Sequence, residues 1–185
     1  MNTPRTALYA GSFNPFHIGH LDILRQAEKI FDKVVIGVGT SATKGGDVNA
    51  IQHTLFQIGL PNLIVTIKGT ITGTMKNHNI TTLVRGVRNN EDLLAESHLG
   101  RYLRDLLPGI NIVYLFPNPE VAHVSSSAVR ELIQLNTADS LAVANRYLVR
   151  KLDTPLRLVT PGPSPEKPVM KSGTGMFASL TRKLE

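Results

Sequence analysis

The chain alternates between short apolar runs and longer stretches in which apolar residues recur every three to four positions. Ala7-Leu8-Tyr9-Ala10 is apolar throughout and stops at Gly11-Ser12, which predicts a buried strand and a turn. From Ile18 to Phe31, the residues Leu21, Leu24, Ala27, Ile30 and Phe31 follow helical spacing and define one core-facing stripe. Val34-Val35-Ile36-Gly37-Val38 is a second strand, apolar without alternation, as expected where both faces are covered. Val48, Ile51, Leu55 and Ile58 predict a helix that Gly59 and Pro61 stop. Leu63-Ile64-Val65 reads as a third strand. A short helix is expected between Thr70 and His78, where threonines and Gly73 lower the propensity. Thr82-Leu83-Val84 is a fourth strand, and a longer helix from about Glu91 to Leu107 carries Leu99, Tyr102, Leu103 and Leu106 as its apolar face. Ile110 to Phe116 is a fifth strand. Ser125-Ser126-Ser127 then precede a helix carrying Val129, Leu132 and Ile133, serine being a favoured N-cap. A last helix is expected to use Leu141, Ala144, Leu148 and Leu152.

Strands alternating with helices in this way predict an α/β fold, a doubly wound five-stranded parallel sheet of Rossmann-like type. In such sheets ligands bind outside the carboxyl ends of the strands, and the polar clusters here follow strands one, two, four and five. Residues 1–152 carry this pattern and form one domain. Residues 153–185 hold five of the eleven prolines and little periodic apolar content, and are expected to form a flexible tail. The 185 residues suit a single domain with a sizeable core, and 42% hydrophobic content excludes wholesale disorder. No apolar run approaches the roughly 20 residues of a membrane helix, so a membrane association is not expected. The segment Met1-Asn2-Thr3-Pro4-Arg5 lacks the apolar stretch of a secretory signal. Zero cysteines exclude disulfides, thiolate metal sites and a cysteine nucleophile, and a reducing cytoplasm is the expected setting. A net charge of +6 suits polyanionic ligands: nucleotides, phosphorylated metabolites or nucleic acids.

The most informative stretch is Gly11-Ser12-Phe13-Asn14-Pro15-Phe16-His17-Ile18-Gly19-His20, between the first strand and the first helix. Backbone amides and the positive end of a helix face a ligand anion there. Gly11 permits a tight turn, and Gly19 is expected to let a ligand approach the backbone. His17 and His20 are placed to donate hydrogen bonds to phosphate oxygens. Arg85 and Arg88 follow the fourth strand, and guanidinium is the preferred group for bidentate phosphate recognition.

His17-Ile18-Gly19-His20 resembles the His-x-Gly-His signature of the nucleotidyltransferase superfamily. Leu83-Val84-Arg85-Gly86-Val87-Arg88 with Asp92 and Glu96, and Val124-Ser125-Ser126-Ser127-Ala128-Val129-Arg130-Glu131, are similar to segments of the phosphopantetheine adenylyltransferase family. The three motifs stand in the family's order and cover about residues 6–135. The resemblance implies transfer of AMP from ATP to 4′-phosphopantetheine, giving dephospho-CoA and pyrophosphate, with Mg²⁺ and a homohexameric assembly. It implies His20 as the catalytic group and Ser12, Lys44, Ile71 and Arg85 as contacts of the acceptor. For ATP it implies Ser12, Phe13, His17, His20, Gly86, Val87, Arg88, Glu96, Val124, Ser125, Ser126 and Ser127. Gly45-Gly46-Asp47-Val48-Asn49-Ala50 stands where the family carries an acidic and basic stretch, and His17 is more typical of nicotinamide mononucleotide adenylyltransferases. An acceptor such as nicotinamide mononucleotide therefore stays open. So does a non-catalytic nucleotide- or nucleic-acid-binding module, although no basic-and-aromatic strand pattern supports nucleic acid.

Overall fold

The computed structural model describes residues 4–39 and 47–150. Lys44, the Gly45-Gly46 pair and the tail at 153–185 lie outside the described residues. Within them the strands are β1 (Thr6–Gly11), β2 (Lys33–Val38), β3 (Ile64–Thr66), β4 (Thr82–Gly86) and β5 (Asn111–Leu115). The helices are α1 (Ile18–Ile30), α2 (Val48–Ile58), α3 (Ile71–Asn77), α4 (Asn90–Leu106), α5 (Ser126–Leu135) and α6 (Ala138–Tyr147).

The five strands form one parallel sheet in the order β3-β2-β1-β4-β5, with Leu8 opposite Val35 on one side and Leu83 on the other. Side-chain alternation divides β1 between two cores. Ala7 and Tyr9 join Val34, Ile36 and Val84 beneath α1 and α2, where Ile23, Leu24 and Leu55 are buried. Leu8 and Ala10 join Val35 and Leu83 beneath α3 and α4, with Met75 and Leu103. Strands covered on both faces lose alternation, which is why their sequences read as unbroken apolar runs. The chain order reverses between β1 and β4, so the crevice for a ligand lies there, at the carboxyl edge.

The weak helical stretch does form, because Thr70 caps it: its hydroxyl accepts from the Gly73 amide at 3.0 Å, and the Thr74 hydroxyl donates to the Thr70 carbonyl at 3.2 Å. Three details differ from expectation. On α4, Leu103 is buried but Tyr102 and Leu106 stay 68% and 53% exposed, so the expected apolar face is wider than the face the sheet covers. Leu63 is exposed and precedes β3 rather than opening it. The last helix ends at Tyr147; Leu148 is extended and pairs antiparallel with His17. Leu148 packs with Val124, Val129 and Ala144 all the same, so helical spacing persisted where the backbone had left the helix.

Candidate functional site

The turn between β1 and α1 is built around Phe13, whose φ of 48° is in the left-handed region. That conformation folds its ring back into the core, 1% exposed, edge-on to Tyr9 at 5.1 Å and to His20 at 5.1 Å. Gly11 is required beneath it: a Cβ there would stand 2.8 Å from Phe13 Cζ. The turn is thus shaped by a glycine that accepts a ring, rather than by a glycine with unusual dihedrals.

His17 caps α1. Its Nδ1 accepts from the Gly19 amide at 3.1 Å, and its own amide donates to Nδ1 of His20 at 3.3 Å. Each Nδ1 is an acceptor, so each neutral imidazole carries its proton on Nε2, an assignment that follows from the hydrogen-bond pattern. The two rings stack with centroids 3.7 Å apart, and Phe16 stacks on the far side of His20 at 5.5 Å. The His20 ring is therefore held on three sides with a donor nitrogen away from the cap. His17 is only 4% exposed, and burial, helped by the Arg88 charge, lowers its pKa to about 4. Its ring fills the space beside Gly19 that the sequence leaves for a ligand, with Cε1 3.1 Å from where a Cβ would be.

Arg85 closes the end of β4. Both carboxylate oxygens of Glu96 accept from its guanidinium, and its Nη1 donates to the Ala10 carbonyl at 2.7 Å. The Tyr114 hydroxyl donates to the Glu96 carbonyl at 3.1 Å and ties α4 to β5. Arg88 makes the corresponding pair one turn earlier with Asp92, through Nε at 2.8 Å and Nη2 at 3.1 Å. This second pair is the more exposed of the two. On the opposite wall, Ser125 caps α5 by accepting from the Ala128 amide at 3.1 Å, and the Ser126 hydroxyl donates to the Pro15 carbonyl at 3.1 Å. Arg130 donates to the Asn14 carbonyl and to the Ser127 hydroxyl. These bonds seat the N-terminus of α5, the positive end of that helix, against the β1–α1 turn.

The result is one cleft of about 220 Å³ at the β1/β4 reversal. From the first turn and α1 it takes Ser12, Phe13, His17 and His20. From the β4 edge and α4 it takes Arg85, Gly86, Arg88 and Glu96, and from the loop and cap of α5 it takes Val124 to Ser127. Val87 does not line it; it is fully buried and its amide donates to the Leu115 carbonyl at 2.9 Å. Ile71 opens α3 and packs with the core beneath α3 and α4; it is not among the residues that line this cleft. Tyr9, Asp92 and Arg130 line the cleft without having been singled out as site residues. For Arg130 a signal existed, its spacing of three from Ser127 in the first turn of a helix.

A five-stranded parallel sheet of this order, with a cleft lined by arginines and imidazoles at its reversal point, is the α/β nucleotidyltransferase-like fold. The model of the family described as Cytidylyltransferase-like matches residues 8–132. A bifunctional NMN adenylyltransferase/ADP ribose pyrophosphatase from Francisella tularensis shares the fold, with a TM-score of 0.55 at 13% identity over 80% of this chain and 45% of that one. Phosphopantetheine adenylyltransferase of Streptococcus suis is 40% identical over 136 residues, 70% of this chain and 83% of the relative. That of Levilactobacillus brevis is 32% identical over 131 residues, 68% and 81% of the two chains. The chain belongs to the phosphopantetheine adenylyltransferase family, within the Cytidylyltransferase-like group.

Proposed function

We propose that this protein transfers the AMP unit of ATP to 4′-phosphopantetheine, forming dephospho-CoA and pyrophosphate in coenzyme A biosynthesis. The observation that carries the reading is the gathering of His20, Arg85, Arg88 and the α5 N-terminus around one cleft, in a chain 40% identical to a phosphopantetheine adenylyltransferase. In the reaction a phosphate oxygen of the acceptor bonds to the α-phosphorus of ATP. The bond from that phosphorus to the α–β bridging oxygen breaks, and pyrophosphate leaves with the electron pair. No protein nucleophile is needed, so positioning and charge stabilisation carry the catalysis.

In this reading His20 donates from Nε2 to a non-bridging α-phosphate oxygen, where negative charge grows in the transition state. Arg88 exchanges Asp92 for triphosphate oxygens, and the first-turn amides of α5 receive the same phosphates. Arg85 directs its guanidinium to the acceptor phosphate while Glu96 fixes its orientation. Ser12 serves both ligands from the turn, and Lys44 and Ile71 belong to the acceptor side. Mg²⁺ would enter with the triphosphate, because this ion characteristically keeps waters and substrate phosphates as ligands. It would offset triphosphate charge and favour departure of pyrophosphate. A homohexamer in the cytoplasm completes the reading. Leu94, Tyr102 and Leu106, exposed along α4, support a subunit contact there.

The competing acceptor, nicotinamide mononucleotide, draws its support from His17, and that imidazole is spent on capping α1. Pyrophosphate release from ATP, measured with phosphopantetheine and nicotinamide mononucleotide in parallel, tests the choice. Release with phosphopantetheine alone is expected; release with only the mononucleotide would overturn the reading.

A further inference from the structure

Asp22 lies on α1 shortly after His20, half-buried, and none of the roles above uses it. Its Oδ2 accepts from the Gln26 side-chain amide at 2.8 Å and from the backbone amide of Asn118 at 2.9 Å. Its Oδ1 accepts from the Asn118 side-chain amide. Gln26 stands one turn further along α1, and its Nε2 also donates to the Phe116 carbonyl at 2.9 Å. Pro117, between these two anchored residues, has no amide hydrogen of its own and lines the cleft. Helix α1 thus grips the chain on each side of Pro117.

The grip continues along the wall. The Val121 amide donates to the Asn118 carbonyl at 3.0 Å, the Val124 amide donates to the Val121 carbonyl at 3.1 Å, and Ser125 then caps α5. Val121 and Val124 line the cleft with Pro117. Asp22 and Gln26 therefore join the helix that carries His20 to the segment that leads into the N-terminus of α5. They fix the separation of two walls of one cleft. The donors named here are neutral amides, so the clamp needs an acceptor at position 22 rather than a charge. Asp22→Asn can reproduce it: the new amide oxygen takes the two donors that cannot turn over, the Asn118 backbone amide and Gln26, which the Phe116 carbonyl orients. The Asn118 side-chain amide turns over to accept from the new amide nitrogen. Asp22→Leu, of similar size, accepts nothing.

We infer that Asp22, acting with Gln26, is a positioning residue for the nucleotide, holding the wall at residues 116–124 at the distance from His20 at which ATP binds. This rests on the reading that the cleft binds ATP. Titration calorimetry with ATP on the full chain compares the parent, Asp22→Leu and Asp22→Asn, with amide hydrogen exchange measured on the same proteins free of ligand. Asp22→Leu is expected to bind ATP about 10- to 100-fold more weakly, the scale on which small misplacements act. Its Val121 and Val124 amides should exchange faster while those of Leu24 and Ala27 in α1 stay protected. Asp22→Asn should bind ATP close to the parent and restore that protection. In steady state the KM for ATP should rise in Asp22→Leu while that for phosphopantetheine stays unchanged. A residue that only stabilises the fold would lower the melting temperature and leave both KM values alone. Should Asp22→Leu fail to fold, Gln26→Ala combined with Asn118→Ala keeps the carboxylate and its backbone bond, and is expected to weaken ATP binding about 3- to 10-fold. Parent-like ATP affinity in Asp22→Leu, or in that double variant, would overturn the inference. So would an Asp22→Asn protein as impaired as Asp22→Leu, which would make the effect one of charge. A parent protein that binds no ATP would sink the proposed function and this inference together, whereas equal ATP binding with and without the clamp sinks the inference alone.

Discussion

Replacing His17 separates its structural role from the chemical role of its neighbour. His17→Ala removes the acceptor that caps the Gly19 amide at 3.1 Å and the ring stacked on His20 at 3.7 Å. Loss of an N-cap costs about 1 kcal/mol, and loss of a ring–ring contact about 0.5–1.5 kcal/mol. A total of about 2 kcal/mol should lower the melting temperature by roughly 4–8 °C in a chain of this size. His17→Asn restores a capping acceptor and should recover about half of that. The same residue sets a pH dependence. With its pKa at about 4 in the folded protein and near 6.5 when unfolded, the unfolded chain binds the extra proton between those values. The contribution of His17 to stability is therefore complete above pH 6.5 and falls as the pH drops toward 4, by at most about 3 kcal/mol. Urea unfolding of the parent and of His17→Asn at pH 7.5 and pH 5 measures both effects. The parent should lose more stability than the variant on acidification. Identical pH dependence in the two proteins, or an NMR titration placing the His17 ring near 6.5, would refute the capping role.

His20→Ala should cost about 2.7–4 kcal/mol of activation free energy, about a hundred- to a thousandfold in kcat, with little change in ATP affinity; steady-state kinetics beside His17→Asn show whether the two histidines differ as expected. Arg88→Ala breaks an exposed pair and should raise the KM for ATP while leaving the melting temperature within a few degrees. Arg85→Ala strands the half-buried Glu96 carboxylate and frees the Ala10 carbonyl, so it should weaken acceptor binding and also destabilise the fold by about 1–3 kcal/mol, read by calorimetry and urea unfolding. Gly11→Ala drives a Cβ into the buried Phe13 ring and should cost about 1–3 kcal/mol; an unchanged melting temperature would show that the turn is not packed as described.

The sheet was legible because strands covered on both faces leave uninterrupted apolar runs, as at Val34 to Val38, and because capping residues mark where helices start, as at Thr70 and Ser125. Leu148 and Tyr102 were not, since apolar spacing records which side chains favour burial and not whether the backbone stays helical or the surface is covered. The site's membership was carried by motifs, but its internal bonding was not. An imidazole is both a phosphate donor and a helix cap, and only the 3.1 Å contact with Gly19 shows which task His17 performs. Tyr9 was hidden for a related reason: an aromatic residue inside an apolar strand reads as core until it is found to line a cleft.

The most direct test of the proposed reaction follows the label from ATP. Purified protein with Mg²⁺, 4′-phosphopantetheine and ATP carrying ³²P at either the α or the γ position should place α-label in dephospho-CoA and γ-label in pyrophosphate, with both transfers lost in His20→Ala. Transfer of γ-label to the acceptor with release of ADP, or no α-label in any pantetheine product, would contradict it.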